Sequence, residues 1–321
     1  MAIDTETGDV TGAPGAREEP EELAAAWREF RAARETALAR PHDWLSVAGL
    51  EWVGEEPARL GRVPGTWWEV DGVLHVRAAS EDGLRLLGSG SGSGSGPGDG
   101  PSDDSVLLDG ELTLVVEEGG AQPFALFGDR VRVDVLRRGG YYGLRLRDPA
   151  APALRDFTGV PTWDYDPDWR LPVRLEPYPA PRVVVVGSAA PGLTQRASAV
   201  GEVVLVLRGV EHRLVATGRH GSWSVSFSDA TSGTESAAWR AVAVEGDPDT
   251  GHGVLDLNRA VNYPYAFSDY GTCPAPVPGN ALPIPVTAGE RAPSGRTGVP
   301  PASGGPAALP GPQLLGGAVP D

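Results

Sequence analysis

From Thr66 onward the polarity of the chain alternates every second residue, in one short segment after another, with no helical period between them. "TWWEVDGVLHVRA" has a hairpin pattern around Asp71-Gly72, because Asp-Gly supplies the positive φ angles of a tight turn. "ELTLVVEE", "RVRVDVLRRGGYYGLRLRD", "RVVVVG", "GEVVLVLRG", "EHRLVATG", "GSWSVSFSD" and "WRAVAVEG" follow, the second turning at Gly139-Gly140. Val131, Val133 and Val135 alternate with Arg130, Arg132 and Asp134, and Trp223, Val225 and Phe227 share one face with serines on the other. Ten or so short strands without intervening helices predict a mainly β chain, an antiparallel barrel-like or sandwich domain. "TWDYDPDWRLPVRLEPY" is broken by prolines and reads as edge strand or loop.

The ends and one insert depart from this pattern. "PEELAAAWREFRAARETALAR" predicts one N-terminal α-helix over 20–40. Pro20 suits its first position, early glutamates suit the dipole, and Leu23, Trp27, Phe30, Arg34 and Leu38 fall on one face. An acidic tail over 1–19, a Gly/Ser insert over 88–104 and a Pro/Gly/Ala tail over 292–321 read as disordered. A single β-rich domain over 20–291 remains, with a proline-rich C-terminal segment expected to close one end.

Composition excludes several function classes. The net charge of −16 argues against a nucleic-acid partner and against an anionic membrane surface, both of which need basic patches. All 27 basic residues are arginine, so Schiff-base lysine chemistry and a Walker-type phosphate loop are excluded. Any anion site must use Arg or backbone N–H groups. The single cysteine, Cys273, rules out an intrachain disulfide and a cysteine-cluster metal site. The N-terminus lacks an apolar h-region and no apolar run approaches the ~18 residues of a membrane helix, so a soluble cytoplasmic protein is expected.

Few side chains announce chemistry. His42, His75, His212, His220 and His252 form no pair at ligand spacing. A carboxylate-only set, Asp229, Asp256 and Glu290, has no supporting spacing, so no metal and no cofactor is expected. No Gly-x-Ser-x-Gly elbow is present. Cys273 needs a base or a positive environment to form thiolate, and a lone cysteine is more often a small buried apolar residue. Arg240 shares parity with Val242 and Val244. If that face points inward, the guanidinium needs a partner or an anion, with Arg145, Asp148 and Asp229 as the neighbouring candidates. The opposite parity, with Trp239, Ala241 and Ala243 inside, is equally open.

"LDLNRAVNYPYAFSDYGTCPAP", Leu255–Pro276, stands out because it does not alternate and gathers Asp, Asn, Arg, Tyr and Cys in one span. This block, together with "RETALARPHDWLSVAGLEWV", "FSDATSG" and "RRGGYYGLRLRDPAAPALRDFTGVPTWDYDPDWRLPVRLEPY", resembles the bacterial and archaeal family called domain of unknown function 1684, over about residues 34–290. Asp229, Thr231, Ser232 and Gly233 match one family element, with Arg240 the counterpart of its following arginine. Leu255, Asp256, Asn258, Arg259, Ala260, Asn262, Pro264, Ala266 and Phe267 match the central block. Cys273, Pro274, Pro276, Asn280, Leu282, Ala288, Gly289 and Glu290 match the end. Leu257, Tyr263, Tyr265, Gly279 and Ala281 depart from the family pattern. The family name implies no activity. If the family's two cysteines act as a redox or metal pair, Tyr265 removes that chemistry here.

Two readings of the segment over 255–290 follow. Its Asp, Asn and Arg side chains can satisfy the backbone of a buried irregular segment. Alternatively, Tyr263, Tyr265, Phe267 and Tyr270 line a pocket at the barrel mouth for a small polar or anionic metabolite. Its expected polar contacts are Arg145, Asp148, Asp229, Arg240, Asn258, Arg259, Asn262, Tyr265, Cys273 and Asn280. An enzymatic alternative is a hydrolase or isomerase with Asp256 or Glu290 as general base and Arg259 stabilising an oxyanion.

Overall fold

The computed structural model describes residues 20–87, 106–219 and 221–294. The tail over 1–19, the insert over 88–104 and all but the first three residues of the tail over 292–321 lie outside the described residues. The chain is mainly β, with one long helix, α1 (Pro20–Leu38), at its N-terminal side.

The first strands are β1 (Val47–Trp52), β2 (Ala58–Arg59), β3 (Thr66–Val70), β4 (Val73–Ala78), β5 (Arg85–Leu86), β6 (Val106–Leu107), β7 (Gly110–Leu114), β8 (Ala121–Phe127), β9 (Val131–Arg138) and β10 (Tyr141–Arg147). They form two antiparallel sheets, ordered β1-β10-β9-β8-β5-β6 and β2-β3-β4-β7. Period-two alternation dictates which side chains meet between them: Trp67, Leu74 and Val76 from one sheet pack against Val133, Val135, Tyr142 and Leu144 from the other. The hairpin turns fall where expected. Asp71 and Gly72 have φ of 52° and 78°, and Gly139 and Gly140 have 59° and 87°. The Glu118 carboxylate accepts the N–H groups of Gly139 and Gly140 at 2.7 and 2.9 Å and holds the second turn.

A second unit follows, made of β11 (Arg170–Gly187), β12 (Thr194–Leu207), β13 (Val210–Arg219), β14 (Ser222–Phe227), β15 (Arg240–Asp247), β16 (His252–Asp256) and the two-residue β17 (Val261–Asn262). The order β14-β13-β12-β11-β16-β15 returns on itself, because β14 also pairs with β15. The result is a closed six-stranded antiparallel barrel, with β17 added beside β15. Val203, Leu205, Leu214, Trp223, Val225, Phe227, Val242 and Leu255 fill it.

"WRLPVRLEPY" and "RVVVVG" are one long strand of the barrel rather than an edge or loop followed by a separate strand. The prolines are tolerated because of where they sit. Pro172 lies where β11 pairs only with β16, and Pro179 and Pro181 lie in the irregularity between Pro177 and Arg182.

The proline-rich C-terminal segment closes one end of the barrel. Leu257, Ala260, Leu282, Val286 and Ala288 belong to the same apolar cluster as the strands. A third cluster lies between sandwich and barrel: Leu38, Leu45, Val160, Ala189, Trp239, Tyr265, Phe267 and Cys273. Arg62 of the sandwich donates to the Tyr270 hydroxyl at 2.9 Å, and the Ser268 hydroxyl donates to the Val47 carbonyl, so the segment also ties the two units together.

Candidate functional site

Two groups of polar side chains are buried, and they differ in how completely they are partnered. The first is the clasp formed by residues 255–290. Arg240 faces inward with Val242, and only 1% of it is exposed. Its neighbours across the ladders are Phe227 and Asn262. Nη2 donates to Asp229 Oδ2 at 2.8 Å and to the Val286 carbonyl at 3.1 Å. Nη1 donates to the carbonyls of Ala288 and Glu290 at 2.5 and 3.1 Å. Asp229 Oδ1 in turn accepts the Thr231 N–H, the Thr231 hydroxyl and the Val286 N–H. Burial lowers the Arg240 pKa, opposed by the Asp229 charge. Apart from Arg240 Nε, which has no partner among the described residues, the pair spends its donors and acceptors on a segment that has no ladder of its own.

Three other clasp side chains do the same job in one recurring way. A carboxamide carries a donor and an acceptor side by side, as a peptide unit does. Asn258 pairs with both the N–H and the carbonyl of Asp166, at 3.0 and 2.9 Å. Asn280 pairs with both groups of Val215, at 2.8 and 2.9 Å. The Tyr265 hydroxyl accepts the Trp239 N–H and donates to the Trp239 carbonyl, each at 2.7 Å. Burial raises the Tyr265 pKa. Asn262 donates to the Arg291 carbonyl at 2.7 Å.

The carboxylates considered as bases are engaged as well. Glu290, fully buried, accepts Arg31 Nη1 at 2.7 Å and Arg34 Nε at 3.2 Å on one oxygen, and the Asn262 N–H at 2.7 Å on the other. Asp256 accepts the Asn258 N–H and carboxamide at 3.1 and 3.0 Å, with Arg259 Nε at 3.5 Å from its other oxygen. Arg259 lies against Phe30 and 3.7 Å from Glu245. Asp148 is bound by Arg130 at 2.7 and 3.2 Å, away from Arg145 and Arg240. Tyr265 and Phe267 share the third apolar cluster, Tyr263 packs against it and meets the Ser226 hydroxyl at 2.6 Å, and Tyr270 turns to Arg62. A cleft of about 280 Å³ lies elsewhere, among Ser80, Arg85, Leu126 and Asp129.

The second group sits in the seam between sandwich and barrel. In β10, Tyr142, Leu144 and Leu146 enter the sandwich core, which turns Arg145 and Arg147 to the opposite face. There they meet Trp44, whose ring lies 4.8 Å from each guanidinium carbon. Arg147 shares the Asp134 carboxylate with Arg132, at 2.5 and 2.8 Å. Arg145 lies opposite Asp134 in the ladder but hydrogen-bonds no carboxylate among the described residues. Its hydrogen bond is to the Thr272 hydroxyl at 3.3 Å, and only 1% of the residue is exposed. Arg145 Nε and Arg147 Nη1 are buried with no partner among the described residues. Burial, with Arg147 beside it, pulls the Arg145 guanidinium down to about 9.

Cys273 follows Thr272 into this seam. Burial pushes its thiol up to about 11 despite the nearby Arg145 and Arg138. At pH 7 the thiol is therefore protonated and a poor nucleophile. The folded chain is expected to leave a disulfide reagent unreacted at pH 7 while the denatured chain releases one equivalent; prompt release from folded protein would mean that the thiol is activated.

Sequence reasoning placed Arg145 among the contacts but missed Arg147 and Trp44. The signal was present: "GLRLRD" puts two arginines on the face opposite two leucines, in a strand buried on both sides.

Comparison with known proteins adds the family. No curated protein matches the chain. The chain is similar to the solution NMR structure of an uncharacterized protein of Haloarcula marismortui, at 32% identity over 44% of this chain and 80% of that chain, with a TM-score of 0.37. A family model described as protein of unknown function (DUF1684) matches residues 155–291, a span that holds the barrel and the clasp but not Trp44, Arg145 or Arg147. On that match, which takes in Asp229, Arg240 and the whole block over 255–290, the chain belongs to the DUF1684 family.

Proposed function

We propose that the protein binds a small anionic metabolite, and that the binding site is the seam around Arg145 rather than the barrel mouth. The observation that carries this reading is the Arg145 guanidinium, buried with no hydrogen-bonded carboxylate beside a second, incompletely partnered arginine, the two sharing one nearby acid, Asp134. A buried cation without a counter-charge is costly, and an anion removes that cost. The clasp supports the reading by contrast, because Arg240, equally buried and also with an unpartnered Nε, binds a carboxylate and three carbonyls through its two Nη atoms. The charge of −16 supports a partner other than nucleic acid. The single buried thiol suits a reducing compartment such as the cytoplasm.

Thermal melting in a series of small anions at constant ionic strength tests the reading. A ligand that binds only the folded state should raise the melting temperature by roughly 2–6 °C at saturation. Arg145→Met should abolish that rise. An absence of any shift in the wild type, or an equal shift in the variant, would contradict the proposal.

A further inference from the structure

We infer that the ligand of the seam is a small organic carboxylate with an apolar body. The inference rests on the anion-binding reading above and adds the chemical class. Charge comes first. Asp134 is bound by Arg147 and Arg132 and lies across the β9–β10 pairing from Arg145, so Arg145 is the guanidinium of the three that hydrogen-bonds no carboxylate. The remaining groups facing it do not alter this balance. Thr272 offers a hydroxyl, Cys273 is held protonated, and Arg138, which donates to the carbonyls of Gly120 and Arg137, has Glu118 nearby. An anion there offsets positive charge in a site from which water is largely excluded.

Shape comes second. The unpartnered donors are Arg145 Nε and Arg147 Nη1, on residues two apart on one face of a strand, roughly 7 Å between Cα atoms. Both guanidinium carbons lie 4.8 Å from the centre of the Trp44 ring. A planar two-oxygen anion can accept one N–H from each arginine, and planar pairing is the geometry that guanidinium groups favour. The third side of the seam is apolar: Trp44 packs with Leu38, Leu45, Phe267 and Cys273. An inorganic anion gains nothing from that wall, while a hydrocarbon body does.

Melting curves of the full chain with the sodium salts of acetate, benzoate, chloride, sulfate and phosphate, at matched ionic strength, test the class. Benzoate should raise the melting temperature at lower concentration than acetate, and both should exceed the three inorganic anions. Arg147→Met should weaken the apparent benzoate affinity by about tenfold or more. If that variant does not fold, Arg147→Lys serves, since it keeps a charge beside Asp134 while losing the planar fork. Protection by phosphate or sulfate equal to or above that by the carboxylates overturns the class and leaves the anion reading standing. Unchanged benzoate affinity in the Arg147 variant overturns the two-donor arrangement. An absence of protection by every salt removes the anion reading and the class together.

Discussion

Arg240→Ala is expected to unfold the barrel or bring it close to unfolding. The Asp229 side chain is fully buried, so the substitution leaves a carboxylate without its counter-charge, and breaking a buried pair from one side costs about 3–5 kcal/mol. The carbonyls of Val286, Ala288 and Glu290 lose their donor as well. An unsatisfied buried carbonyl costs about 1–3 kcal/mol, and partial access of water to the loosened segment limits the sum. Total stabilities lie near 5–15 kcal/mol, so this single change consumes a large share. The urea midpoint should fall sharply, and the purified variant should expose a dye-binding apolar surface. A midpoint within experimental error of wild type would show that the clasp does not depend on Arg240.

The second large effect is expected at Glu290. Its carboxylate holds Arg31 and Arg34 of α1 on one oxygen and the Asn262 N–H on the other, with no exposure to water. Glu290→Gln preserves the volume and removes the charge. Arg31, whose side chain is only 10% exposed, then keeps Glu35 on the same helix and the Val160 carbonyl, but loses its buried partner. We expect a loss of about 2–4 kcal/mol, concentrated at the helix. The readout is limited trypsin digestion: Arg28, Arg31 and Arg34 should become early cleavage sites in the variant while the barrel resists. A helix as protected as in wild type would show that the Glu290 charge does not hold α1.

Both effects follow from groups that could be named before the fold was known, while their roles could not. Period-two alternation was sufficient for the strands because one-sided burial leaves a strong imprint: Trp223, Val225 and Phe227 read as an inward face and are one. Parity alone could not orient Arg240, since Trp239 on the other face is also buried, against Tyr265. That choice was made by a long-range partner, Asp229, and by carbonyls some fifty residues downstream. The polar content of the block over 255–290 was equally legible, and so was the alternative that it serves the backbone. What could not be read was the pairing of Asn258 with Asp166, or of Asn280 with Val215, because a carboxamide carries no sign of which distant peptide it will meet. β11 shows a different limit. Its prolines argued against a paired strand, and the one-sided pairing around Pro172 together with the irregularity between Pro177 and Arg182 reconciles them with the barrel. The seam went unread for the same reason as Arg240. Arg145 and Arg147 face away from the leucines of their own strand, and nothing local says that Trp44 and Thr272 will cover them.

The central claim is that two equally buried arginines carry opposite energies, Arg240 as a partnered clasp and Arg145 as a cation waiting for an anion. Equilibrium urea denaturation of Arg145→Met, in a buffer free of small carboxylates and phosphate, tests it most directly. Replacing an uncompensated buried charge by an apolar side chain of similar length is expected to leave stability unchanged or raise it by about 1–4 kcal/mol. A loss of about 3 kcal/mol or more, matching that of Arg240→Ala, would mean that Arg145 is held by the chain itself and that the seam is structural.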